Sequence, residues 1–116
     1  MNLYHCFIDL KDDAKALAFA QALEQWLDRL KAEKVVRSWR LMRLKLNLAS
    51  DDYSDFMLEV EVDDMAQLDK AFRVLGRRDD EIDTLHSRVH AMIGRARFAL
   101  YRPYPDAERA ERMGLL

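Results

Sequence analysis

Three histidines and a single cysteine are the residues of this 116-residue chain with the widest chemical range. His86 and His90 stand four apart in HSRVH. On a helix that spacing puts both imidazoles on one side, as a metal pair needs, and Asp83 could add a ligand one turn earlier. The metalloprotease form of the pattern has Glu directly after the first histidine, and here that place is Ser87. No further ligands are at hand, and both histidines flank an apolar stripe, so the expectation is two boundary histidines and no metal. His5 in YHCFIDL and Glu59 in DFMLEVEV offer a different chemistry. On neighbouring strands they would form an acid–base pair, with Tyr101 or an arginine holding an anionic substrate. The competing reading is an ion pair across a subunit interface. Cys6 follows His5, but adjacent residues of a strand point to opposite faces. Cys6 is therefore expected to pack as a small hydrophobe.

The elements that must position these residues are legible in the hydrophobic pattern. Asp55–Val62 alternates Phe56, Leu58, Val60 and Val62 with Met57, Glu59 and Glu61, which predicts a strand with one face buried. Asn2–Leu10 predicts a central strand, because Leu3, His5 and Phe7 on one face and Tyr4, Cys6 and Ile8 on the other are both largely apolar. Lys11–Lys34 predicts a long helix, capped by Asp12 or Asp13, with Phe19, Leu23, Trp26, Leu27 and Leu30 on its stripe. Val35–Leu46 mixes apolar and basic residues in both phases, as an edge strand does, with Ser38 the place for a bulge. Asn47–Ser54 reads as a polar turn. Asp63 or Asp64 caps a second helix with Leu68, Ala71, Phe72 and Leu75 inside and Gly76 at its exit. Asp79 or Asp80 starts a third helical stretch, with Ile82, Leu85, Val89 and Ile93 at helical spacing. Arg95–Arg102 predicts a fourth strand, ended by Pro103 and Pro105.

The order β-α-β-β-α(α)-β is the split βαβ, ferredoxin-like arrangement of the α+β class. It predicts an antiparallel sheet of order 4-1-3-2 over residues 1–105, with the helices on one face, and a charged tail over 106–116. The opposite face would carry Glu59, His5, Leu3 and Phe7 with Arg95, Arg97 and Tyr101. In one phase of the second strand it would also carry Arg37, Trp39, Leu41 and Arg43. A part-apolar sheet face tends to be covered. Pairing two such faces across a twofold axis covers both, with sheets about 10 Å apart and the interleaved charges partnered.

The segments YHCFIDL, SWRLMRLKL, FMLEVEV and FALYRPYPD, in this order with these helices between, resemble an uncharacterised family of small bacterial proteins with the dimeric α+β-barrel fold. The resemblance covers residues 2 to about 106. It implies a homodimer and carries no activity. The wider superfamily includes cofactor-free monooxygenases, haem-degrading enzymes, isomerases and binding proteins, among which fold does not choose.

Composition narrows the partners. Net charge is −2 and the pI about 5.9, no electrostatic footprint for nucleic acid or an anionic membrane. Trp39, Arg40 and Arg43 mix aromatic and basic groups, but Glu59 and Glu61 occupy the strand where an RNA-binding sheet carries glycine and aromatics. No phosphate loop, nucleophile elbow or dinucleotide fingerprint occurs, and no cofactor is expected. One cysteine and the absence of a leader or a membrane-length apolar run point to the cytoplasm. The reading is a homodimer that binds a small organic molecule in a cavity at the open sheet face or between sheet and helices, with Trp39, Arg43, Arg95, Arg97 and Tyr101 as contacts. The alternatives are a cofactor-free monooxygenase or isomerase using His5 and Glu59, and a purely structural dimer.

Overall fold

The computed structural model describes residues 2–45, 48–76 and 80–105. Along the chain it has β1 (Asn2–Leu10), α1 (Ala16–Ala32), β2 (Ser38–Arg43), β3 (Phe56–Val62), α2 (Met65–Gly76), α3 (Asp80–His90) and β4 (Ile93–Tyr101). The strands form one antiparallel sheet in the order β2-β3-β1-β4, the order that the element pattern predicts. The register fixes the two faces. Ile8 lies opposite Phe56 and Ala96, Cys6 opposite Leu58 and Phe98, and Tyr4 opposite Val60 and Leu100. This face meets the helices, and its core joins Phe56, Leu58, Val60 and Val62 to Phe19, Leu23, Leu27 and Leu30 of α1, Leu68, Ala71 and Val74 of α2, and Ile82 and Val89 of α3. The other face aligns His5 with Glu59 and Ala99, Phe7 with Met57 and Arg97, and Leu3 with Glu61 and Tyr101.

The helix ends have local causes. α1 starts later than its apolar pattern predicts, because residues 11–14 make a turn closed by the Ala14 N–H on the Lys11 carbonyl, while the Lys11 N–H bonds the Met92 carbonyl. Asp12 and Asp13 sit in that turn, and the residue at the cap is Lys15, which makes no side-chain capping bond. At the other end the Val35 N–H reaches the Leu30 carbonyl and the Lys34 N–H reaches that of Lys31, a Schellman closure with Lys34 at φ 61°. Val35 and Leu30 are both buried there. α2 has the predicted acidic cap: Asp64 Oδ1 accepts the Gln67 N–H at 2.8 Å, and Gln67 Oε1 accepts the Asp63 N–H at 2.6 Å. Its inner face uses Leu68, Ala71 and Val74, while Phe72 is half exposed. Ile93 opens β4 instead of extending α3.

β2 corrects two expectations. It is shorter than Val35–Leu46, and Val35 and Val36 enter the core as the connection from α1. Its pairing with β3 is unbroken through Ser38; the sheet's irregularity lies between Asp9 and Leu10 of β1. The side chain of Leu75, Asp79, Asn47 and the tail 106–116 lie outside the described residues. Among the described residues no helix is long and apolar enough to cross a membrane.

Candidate functional site

Two places on the sheet gather chemistry, one on each face. On the open face Glu59 sits mid-strand in β3, the inner partner of both β1 and β2. His5 Nε2 comes to 3.4 Å from Glu59 Oε1, and Arg40 Nε donates to Glu59 Oε2. The Glu59 side chain is only 11 % exposed. The hydrogen bond from Arg40 holds its carboxyl below the usual carboxylate range; burial opposes this, and Arg40's charge and the contact with His5 add to it. His5 Nδ1 is buried with no hydrogen-bond partner among the described residues. The Tyr101 ring stands edge-on to the His5 ring at 4.9 Å. Beside the cluster Leu3, Ser38, Trp39, Arg40, Glu59 and Glu61 border a recess of about 290 Å³. Its polar groups are already partnered, since Ser38 Oγ donates to Glu61 Oε2 at 2.8 Å as Arg40 does to Glu59.

The other residues expected around this pair go elsewhere. Arg97 Nη2 donates to the Asp52 carbonyl at 3.2 Å, and both Arg95 and Arg97 approach the Asp52 carboxylate, at 4.0 and 3.9 Å. They face the same side as His5 but serve the loop before β3. Trp39 and Arg43 are on the helix-covered face, opposite the expected phase. The reason is packing: Trp39 is partly buried against the core and donates through Nε1 to Asp28 of α1 at 2.9 Å, and the Arg43 guanidinium lies over the Phe56 ring at 5.6 Å. Arg40, in the alternate phase, is the partner of Glu59 that the expected constellation lacks. The signal was the strand's own ambiguity, two phases that each mix apolar and basic residues.

The second place lies between the sheet and the helices. A cavity of about 260 Å³ is walled by Ile8, Leu58 and Val60 from the sheet and by Leu23, Leu27, Ala71 and Val89 from the helices. Its half-exposed lining residues, Phe72 and Phe98, mark the opening. Between them Tyr4 stacks on Phe98 at 5.9 Å and meets Phe72 edge-on at 5.9 Å. Trp26 of α1 and His86 and His90 of α3 complete the lining. Helical spacing stacks His86 on His90 at 5.6 Å, and Trp26 packs on His86 at 5.1 Å. Burial, then the neighbouring His90, lowers the His86 pKa against the opposing pull of Asp83, so His86 is neutral near pH 7. Burial pushes the Cys6 thiol up to about 12, which leaves a protonated, unreactive group in the wall. Among the described residues no group of three or more His, Cys, Asp and Glu is gathered as a metal site requires. Trp26 reads as one more apolar position of α1 in the sequence; that it meets His86 depends on how α1 packs against α3, which no local pattern carries.

Similar proteins agree with the fold and leave the chemistry open. Protein At3g17210 of Arabidopsis thaliana superposes with a TM-score of 0.69 at 6 % identity, covering 89 % of this chain and 95 % of that one. A dimeric ferredoxin-like protein of unknown function from Thermobifida fusca gives 0.58 at 16 % identity, over 87 % and 90 % of the two chains. SnoaB, a cofactor-independent oxygenase from Streptomyces nogalater, gives 0.63 at 10 % identity, over 89 % and 91 %. At these identities the likeness is one of fold. No functionally curated protein matches the sequence. The model of one family matches along the whole chain, residues 1–116, and the protein belongs to it: the family of unknown function DUF6614.

Proposed function

We propose that this protein is a homodimer, paired through the open face of its sheet, that binds a small and mainly apolar organic molecule between the sheet and the helices. The observation that carries the reading is the cavity of about 260 Å³. Ligand sites are concave and mostly apolar, with a few polar groups that orient the ligand. The sheet–helix cavity has that composition, with Tyr4, Trp26, His86 and His90 as the few. The recess on the open face does not, because its charges already satisfy one another. The volume lies below the roughly 300–1,000 Å³ of sites for drug-sized ligands, which limits the occupant to about one or two rings. The Thermobifida fusca neighbour, described as dimeric, supports the pairing.

Thermal shift with a panel of one- and two-ring compounds tests the reading. A ligand present at 100 times its Kd adds about 2.7 kcal/mol to the folded state. Ala71→Leu fills part of the cavity wall and should remove the shift. A panel that moves no melting temperature would count against a binding site here.

A second reading rests on His5. Its Nε2 is oriented by Glu59 while its Nδ1 has no partner among the described residues, the arrangement of a base with an orienting carboxylate. In this reading the protein is a cofactor-free enzyme, as the SnoaB neighbour is described to be. Substituting His5 by Ala should then slow turnover of an identified ligand by roughly 10²-fold or more. An unchanged rate would leave His5 as an interface group.

A further inference from the structure

Burying an indole N–H without a partner is unfavourable, since the group loses the water it bonds in the unfolded chain. The two tryptophans of this chain differ in this respect. Trp39 Nε1 donates to Asp28 at 2.9 Å. Trp26 Nε1 is buried and has no partner among the described residues, and Trp26 lines the sheet–helix cavity. Among the described residues the lining contains no Asp, Glu, Lys or Arg. A ligand with a formal charge would therefore lose its hydration and meet no counter-charge. From the orphaned donor and the uncharged walls we infer that the cavity takes a neutral molecule bearing one hydrogen-bond-accepting oxygen, a ketone, quinone or ester carbonyl, with that oxygen received by the Trp26 Nε1–H. The inference rests on the binding role proposed above and adds the chemistry of the ligand.

His86 and His90 fit this assignment. The His86 ring packs on Trp26, and His90 stacks on His86. His86, kept neutral by its burial, adds no charge of its own to draw an anion. The apolar walls then hold the hydrocarbon part of the ligand, while the indole N–H selects the end that carries oxygen.

Three probes of one shape separate the possibilities: 1-indanone with a carbonyl, indane with none, and indane-1-carboxylate with a charge. Titration of the ¹⁵N-labelled native chain is followed at its two indole N–H cross-peaks, assigned by Trp39→Phe. 1-Indanone is expected to move the Trp26 peak downfield and leave that of Trp39 in place. It should also bind roughly 10-fold tighter than indane, with the carboxylate weakest, a margin of the size that one made hydrogen bond gives. Trp26→Phe should bring indanone and indane to within about twofold of each other. Equal binding of indanone and indane to the native chain with no selective movement of the Trp26 peak would overturn the inference while the cavity remained a binding site. Tighter binding of the carboxylate would overturn it as well. Failure of all three to bind would overturn both the inference and the proposed function.

Discussion

Glu59 is a carboxylate about nine-tenths withdrawn from water, and such a group needs compensation to stay ionised. Arg40 supplies most of it and His5 the rest, which lowers the Glu59 pKa from its ordinary value of 4.5. A carboxyl whose folded pKa is depressed adds stability above its unfolded value, and loses that contribution as pH falls through the folded one. The native chain should therefore lose melting temperature more steeply than Glu59→Gln as pH falls below the ordinary carboxylate value. Parallel curves for the two, measured by scanning calorimetry, would show that this carboxylate is not linked to folding. The His5–Glu59 half of the cluster was legible in the sequence, because strands one and three alternate cleanly and the ferredoxin-like order makes them neighbours. Arg40 was not, since VVRSWRLMRLKL supports either phase of its strand. What decides the phase is Trp39, whose indole packs against the core and bonds Asp28, a tertiary contact with α1.

At the scale of elements, β3 and α1 together supply half of the buried hydrophobic residues among those described. Leu58 is 3 % exposed at the centre of the sheet, and Leu58→Ala should cost on the order of 2–5 kcal/mol in denaturant unfolding. Glu61→Ala removes only a part-exposed carboxylate and its bond to Ser38, and should cost far less. Equal losses would mean that the two faces of β3 have been misassigned. α1 offers a test of opposite sign. Lys34 closes the helix in a left-handed conformation, φ 61°, that a side chain disfavours by roughly 1–2 kcal/mol. Glycine adopts it freely and is the usual residue at that position. Lys34→Gly should therefore raise stability by about 0.5–1 kcal/mol, and a loss would show that the lysine stem contributes packing there. Element types and strand order were readable because apolar periods of two and of 3.6 differ sharply in this chain. Boundaries were less so. The start of α1 is set by the bond from Lys11 to the distant Met92, and the end of α3 by Ile93 entering the sheet. In both cases a long-range hydrogen bond or strand pairing outweighs a local preference.

For the whole molecule the question is what covers the second face of the sheet. The helices leave uncovered a surface on which Leu3, Phe7 and Met57 are half-buried and Met42 and Tyr101 exposed, around the cluster of His5, Arg40 and Glu59. A second copy related by a twofold axis presents the same apolar residues and the same clustered charges in reverse order. The apolar residues then lose water together, and each buried Glu59 keeps its own Arg40 and His5, so pairing leaves no carboxylate uncompensated. Light scattering at about 10 μM should thus give twice the chain mass of 13.7 kDa. Phe7→Asp is the decisive variant. Phe7 lies on the inner strand β1 between Met57 and Arg97, outside the helix-covered core, so the change spares the fold of one protomer. In the dimer it would bury two new carboxylates beside the existing pair of Glu59 side chains, opposite an Arg97 that already approaches Asp52, and a buried charge that is poorly compensated costs several kcal/mol. The expected outcome is a monomer of 13.7 kDa with an unchanged far-ultraviolet spectrum. A native chain that scatters as a monomer would reject the pairing outright. A variant that remains dimeric would move the interface off this face, leaving His5 and Glu59 open to solvent and to whatever substrate they could serve.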